Sequence, residues 1–197
     1  MSVRMRDLLR SALDSLCYEP TEKHLRVYLA GEPVADTQNG RLVWEPRRVV
    51  PAYAVPVWDV SAQLEPAGGS TDLSNRPLLD PRIPFTTHTC TGTSFDVVAG
   101  DARRTAAAFR PDDPDLSDYV ALDFNAFEWR EEDESIVAHP HDPFRRIDIL
   151  HSSRHVTIER EGCLLAESSR PMLLFETLLP VRFYLPRSDV VADLEPT

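Results

Sequence analysis

The chain has 197 residues, is 42% hydrophobic and carries a formal net charge of −11. That length suits one large domain or two small ones. The acidity is spread along the chain, which argues against broad binding to nucleic-acid phosphates or anionic membranes, since both need clustered Lys and Arg. No apolar run approaches bilayer length. Cys17, Cys90 and Cys163 form no C-x-x-C pair, so neither a disulfide framework nor a structural zinc site is expected. They read as reduced thiols of a cytoplasmic protein.

The chain opens with MSVRMRDLLRSALDSLCYEP. Leu9, Leu13 and Leu16 fall at helical spacing, with Leu8 and Ala12 beside them. The spacing predicts an amphipathic helix packed on the body and ending before Pro20. Asp7, Arg10 and Asp14 interrupt its apolar run, so it is not a signal peptide.

Beyond this helix the sequence repeats itself. At an offset of about 131 residues, His24 falls on His155, Gly31 on Gly162, Ala35 on Ala166, Leu42 on Leu173 and Glu45 on Glu176. One residue is lost near the loop at 46–50. Pro56 then falls on Pro186, Asp59 on Asp189, Val60 on Val190, and Leu64-Glu65-Pro66 on Leu194-Glu195-Pro196. Each copy reads as β-structure. Leu25, Val27 and Leu29 alternate with polar residues, as do Val156 and Ile158, and a Gly-containing turn closes a hairpin. A bulky strand follows, LVWE or LLFE. The next strand sets Tyr53 and Val55, or Phe183 and Leu185, on one face. P-x-x-D-V then makes a turn, after which Val60, Ala62 and Leu64, or Val190, Ala192 and Leu194, alternate.

Between the copies, residues 66–84 form a polar loop rich in Pro and Gly. FTTHTCTGTSFDVV suggests a hairpin turning near Gly92, and YVALDF a strand. NAFEWREEDESIV reads as a short helix near 125–135, with Asn125 as its cap. HPHDPFRR connects into the strand RIDIL.

The fold class is therefore mostly β, a β-rich α+β chain. The helix occupies residues 1–20, a first module 21–136, and a linker with the first half of a second module 137–197. Copy one runs on well past Glu65-Pro66, whereas copy two stops one residue after Glu195-Pro196. The second module is thus expected to be incomplete.

The segments A-E-S-S-R-P-x-L-L-F-E-T-x-L-P-x-R-F-Y-L-P-x-x-D-V (Ala166 to Val190) and H-P-x-D-P-F-R-R-I-D-x-x-x-S-S-R-H-V (His139 to Val156) resemble the DUF427 family, a bacterial domain of unknown function. The resemblance covers nearly the whole chain from about Met5, with the first module a diverged copy. It implies small β-rich modules related to the tent-like Mss4 group. Family modules carry a segment T-x-C-x-Y-K-G-x-A-x-Y-W after the D-V strand. Residues 87–97 (THTCTGTSFDV) keep Cys90 and Gly92 but lack the Tyr-Lys pair and the Trp. Related tent-like domains hold zinc through paired C-x-x-C, which is missing here, so no zinc is implied. A nucleotidyltransferase label has been attached to the family. That chemistry needs a Gly-Ser turn followed by closely spaced carboxylates for Mg²⁺. Here Gly69-Ser70 lies in the polar loop and Asp80 is followed by Pro-Arg, so the label is unsupported. No phosphate loop, dinucleotide fingerprint or nucleophile elbow occurs.

The densest chemistry is AHPHDPFRRIDILHSSRHV. His139 and His141, with a third histidine, can hold a transition metal. The competing reading is a linker whose arginines pair with the acidic residues 131–134, and no metal is expected. Glu45 and Glu176 are equivalent. A buried carboxylate with a raised pKa can serve as a general base, or it can simply accept backbone N–H bonds at a turn. Glu176 is the catalytic candidate. Arg182 and Tyr184 share a strand face where copy one has Ala52 and Ala54, and together they suit an anionic or planar ligand. They are the expected ligand contacts, with Arg154 and His155 from the preceding cluster.

The sequence thus predicts an uncharacterised DUF427-type protein that binds a small anionic or planar ligand, or a partner, without catalysis. One alternative is an enzyme acting on a small metabolite around Glu176, Arg182 and Tyr184. Another is a structural protein that self-associates through the open β-edge of the second module. No cofactor, nucleic acid or membrane is implied.

Overall fold

The structure is a computed structural model that describes residues 2–68, 71–72, 82–177 and 179–193. The chain divides into two compact units, Met1–Asp142 and Pro143–Thr197. Both are built mainly from antiparallel β-structure, with one short parallel pair in the first unit. Among the described residues no helix is long and apolar enough to cross a membrane.

The first unit opens with helix α1 (Met5–Ala12). Its spacing is helical, but none of its residues is buried, and Leu8 and Leu9 stay exposed. The expected packing on the body is not observed for the helix itself. Only Leu16, beyond its end, joins the apolar cluster around Val43 and Leu116.

The strands that follow are β1 (Cys17–Pro20), β2 (Leu25–Leu29), β3 (Glu32–Thr37), β4 (Arg41–Trp44), β5 (Ala52–Pro56), β6 (Gln63–Pro66), β7 (Thr71–Asp72), β8 (Thr87–His88), β9 (Gly92–Ala99), β10 (Ala102–Pro111), β11 (Tyr119–Leu122), β12 (Glu128–Glu131) and β13 (Glu134–Ile136). A seven-stranded sheet runs β1-β4-β5-β11-β10-β9-β6, and a four-stranded sheet runs β13-β12-β2-β3. One shared core holds Leu25, Val27 and Leu29 of β2, Val34 of β3, Leu42 of β4, Tyr53 and Val55 of β5, Val97, Ala108, Leu122 and Trp129. Period-two alternation puts every second side chain on that face.

Two local expectations are corrected. The helix expected near 125–135 is a single 3-10 turn at Phe124–Ala126 followed by the β12–β13 hairpin. Phe127, Trp129 and Glu131 are buried while Glu128 and Arg130 are exposed, a two-residue period that only a strand satisfies. Asp123, not Asn125, caps the 3-10 turn by accepting the Asn125 N–H at 3.0 Å. The hairpin expected near Gly92 turns instead at Gly100, whose φ is +55°, between β9 and β10. Gly92 pairs with Pro111, and a Cβ there would lie 2.4 Å from both the Arg110 carbonyl oxygen and the Phe109 ring. Close approach, not a turn, requires that glycine.

The second unit contains β14 (Ile147–His151), β15 (Val156–Arg160), β16 (Cys163–Ser168), β17 (Met172–Glu176) and β18 (Arg182–Tyr184). One sheet runs β14-β17-β18, and β15 and β16 form a hairpin. Leu173 and Ala166 are buried, whereas Ile149, Leu150, Ile158 and Phe183 are exposed. Met172 faces Tyr184, Leu173 faces Phe183 and Leu174 faces Arg182. In the first unit, Arg41 faces Ala54, Leu42 faces Tyr53 and Val43 faces Ala52. Single bridges join Ala35 to Val60 and Ala166 to Val190. The Thr37 hydroxyl donates to Asp59 at 2.7 Å, and the Ser168 hydroxyl donates to Asp189 at 2.7 Å. Val190 follows a 3-10 turn at Arg187–Asp189. Leu194, Glu195 and Pro196 lie outside the described residues, as do Gly69, Ser70 and Asp80.

Candidate functional site

The first unit buries a carboxylate in a polar clasp. Glu45 follows β4 directly and is only 6% exposed. Its Oε2 accepts the Thr89 N–H at 2.8 Å, and its Oε1 meets His88 Nδ1 at 3.0 Å. Arg48 Nε lies 3.5 Å from Oε1, and the Arg48 guanidinium also donates to the carbonyls of Pro84, Phe85 and Thr87. The structure thus places Glu45 in the turn-accepting role weighed for it, with the donors supplied by residues 87–89. His88 is fully buried, stacked on Phe109 with ring centroids 3.5 Å apart, and edge-on to Phe85. Cys90 Sγ lies 3.9 Å from Glu45, and burial followed by the Glu45 charge pushes its thiol pKa up to about 12.

Beside this clasp is a cavity of about 100 Å³. Phe85, Phe109 and Phe124 line it with Val43, Val49, Val50, Ile83 and three prolines. Glu45, Arg48, Asp123, Asn125 and His139 bring polar groups to it. Burial raises the Asp123 pKa, against the Asn125 N–H and the Arg48 charge. Arg48 Nε is buried and has no hydrogen-bond partner among the described residues.

A second carboxylate, Glu131 of β12, gathers three donors. Tyr53 donates from β5 at 2.5 Å, His141 Nδ1 lies 2.9 Å away, and Lys23 forms a close ion pair. Burial alone would raise the Glu131 pKa, but the bonds from Lys23, Tyr53 and His141 hold it below the usual range. Burial and the Glu131 bond push the Tyr53 hydroxyl far above its ordinary value. The acidic run at 131–134 is therefore met by Lys23, His141 and Arg26, which pairs with Asp133 at 2.8 Å. Of the linker arginines, Arg146 pairs with Asp148 at 2.8 Å within the second unit.

His139 lines the cavity and bonds the Pro140 carbonyl at 2.8 Å, while His141 bonds Glu131. Among the described residues no group of His, Cys, Asp and Glu could hold a metal ion. In the second unit, Arg182 Nη1 lies 3.6 Å from Glu176 Oε2, so those two predicted residues do meet. Tyr184 shares the Arg182 strand face and is half exposed. His155 Nε2 pairs with Glu167 at 2.8 Å, and exposed Arg154 precedes it. Sequence reasoning missed Arg48, His88, Phe109, Asp123 and the Tyr53–Glu131 bond. The family-like segment at 87–97 was the one signal that pointed toward this region.

No curated protein matches the chain. A family model described as a domain of unknown function (DUF427) matches residues 148–197, within the second unit. The similarity to the DUF427 family is thus shown for residues 148–197.

Proposed function

We propose that the first unit binds a small single-ring ligand with adjacent donor and acceptor groups, such as a cyclic amide, without transforming it. The supporting observation is the cavity of about 100 Å³ with aromatic walls and a polar edge at Asp123 and Asn125. A cavity of roughly 150 Å³ holds benzene, so this one suits a single ring at most. Few convergent polar groups on an apolar lining are the usual design of a small-molecule site. Asp123 can accept an N–H of the ligand, and Asn125 can donate to its carbonyl. Binding is favoured over catalysis because the buried carboxylate that lines the cavity, Glu45, is already held by Thr89, His88 and Arg48. A general base needs freedom to take a proton.

The Arg182 and Tyr184 reading of ligand contact is less well supported, since those side chains lie on an exposed strand. We also infer that the two units are diverged copies of one module. The matching strand registers and the paired Thr37–Asp59 and Ser168–Asp189 bonds support this.

Calorimetric titration of the whole chain with uracil, nicotinamide and benzoate tests the ligand proposal. The cyclic or aromatic amides are expected to bind, and Asn125→Ala and Asp123→Ala to weaken them about tenfold each, the worth of one hydrogen bond to a partly buried site. Equal affinity in both variants, or no amide binding to the native chain, sinks the reading.

A further inference from the structure

We propose that the edge of β18 away from β17 pairs antiparallel with β18 of a second copy, giving a two-fold dimer. In the first unit, the strand at the matching place is β5, between β4 and β11. Its outer edge is filled: Tyr119 faces Pro56, Val120 faces Val55, Ala121 faces Ala54 and Leu122 faces Tyr53. In the second unit, β18 ends its sheet among the described residues, with β17 on one side only. The burial of matching residues differs accordingly. Tyr53 is 0% exposed and Phe183 is 45% exposed, although Leu42 and Leu173 behind them are equally buried at 2%. An unpaired edge with exposed apolar side chains is a template for another strand.

The residues of β18 favour a second copy as that strand. The edge reads Arg182-Phe183-Tyr184, with Pro180 and Pro186 bounding it, so the register that can pair is short. Antiparallel pairing centred on Phe183 sets Arg182 opposite Tyr184 of the second copy, and Tyr184 opposite its Arg182. A guanidinium against a tyrosine ring is a favourable cross-strand pair. The chain already uses that chemistry, with Arg41 lying 4.0 Å from the Tyr119 ring centre. The sequence of the edge is therefore complementary to itself, as a two-fold interface requires. On the opposite face, the row Leu150, Leu173 and Phe183 would continue through the second Phe183. This inference is independent of the cavity in the first unit.

Sedimentation equilibrium of the full chain tests it, with disulfide trapping as a second measurement. The native chain is expected to dimerise, and Arg182→Ala and Tyr184→Ala to weaken the dimer about tenfold each, because each removes two symmetric cation–π pairs. The exchange Arg182→Tyr with Tyr184→Arg restores the complementarity and is expected to restore the dimer. In a Cys163→Ser background, Phe183→Cys is expected to oxidise to a covalent dimer, since paired antiparallel residues lie about 4.5–5.5 Å apart. Arg182→Cys, which would face residue 184, is expected not to. A monomeric native chain overturns the proposal. So does a dimer that ignores all of these substitutions.

Discussion

His88 lies flat against Phe109, with ring centroids 3.5 Å apart and planes 8° from parallel. The same imidazole reaches Glu45 through Nδ1. One side chain therefore ties the 87–90 segment both to β10 and to the end of β4. His88→Ala would leave a void against Phe109 and remove a partner from a buried carboxylate. Together these are expected to destabilise the first unit by about 3 kcal/mol. His88→Phe keeps the stacking and loses only the polar contact, so it should cost less. Urea unfolding followed by tryptophan fluorescence checks the order, and a His88→Ala variant as stable as the native chain contradicts it.

That histidine shows where sequence reading stops. THTC is a polar run, and nothing within it marks His88 as core. Its burial depends on Glu45, which lies far away in sequence. Strand content was legible wherever apolar residues alternated, as in Leu25, Val27 and Leu29. Segment 125–135 was misread because Asn125 looked like the cap of a helix. The informative pattern was Phe127, Trp129 and Glu131, and Glu131 broke it by being a buried acid. A buried acid is readable only once its partners, Tyr53 and Lys23, are known to sit across the fold. The ligand candidates Arg182 and Tyr184 came from the differences between copies. Such differences locate Arg182 and Tyr184 on a strand but carry no information on whether the strand encloses a cavity.

The Glu131 centre makes the first unit sensitive to acid. Its pKa is lowered on folding from an ordinary value of 4.5. The folded state thus binds its proton less tightly than the unfolded chain. The resulting stability is fully present above pH 4.5 and is lost as pH falls through the folded value. Glu131→Gln should flatten that part of the acid-unfolding profile. Asp123, whose pKa is raised, acts in the opposite sense, so Asp123→Asn should steepen it. Circular dichroism against pH distinguishes the two. An unchanged profile in Glu131→Gln contradicts the assignment.

At alkaline pH the same centre acts through Tyr53. Burial, then the bond to Glu131, raises the phenol above its ordinary value of 10.0. The unfolded chain ionises first, so stability contributed by the neutral hydroxyl falls as pH rises beyond that value. Tyr53→Phe should remove this alkaline loss, while lowering stability at neutral pH by about 1 kcal/mol for the missing hydrogen bond. Stability measured between neutral and alkaline pH gives both numbers.

The cysteines should separate cleanly in a thiol titration. Cys163 is exposed, whereas Cys90 is partly buried beside Glu45 with a pKa pushed up to about 12. Only the thiolate attacks a disulfide reagent. In the native chain at mildly alkaline pH, Cys163 should react first and Cys90 only after unfolding. Glu45→Gln removes the charge that helps to hold the Cys90 proton, so it should speed that reaction, although burial, the larger cause, remains. Mass spectrometry of the modified peptides locates the label. Equal labelling of Cys90 and Cys163 in the folded chain would mean that the clasp around Glu45 opens far more readily than its buried hydrogen bonds allow.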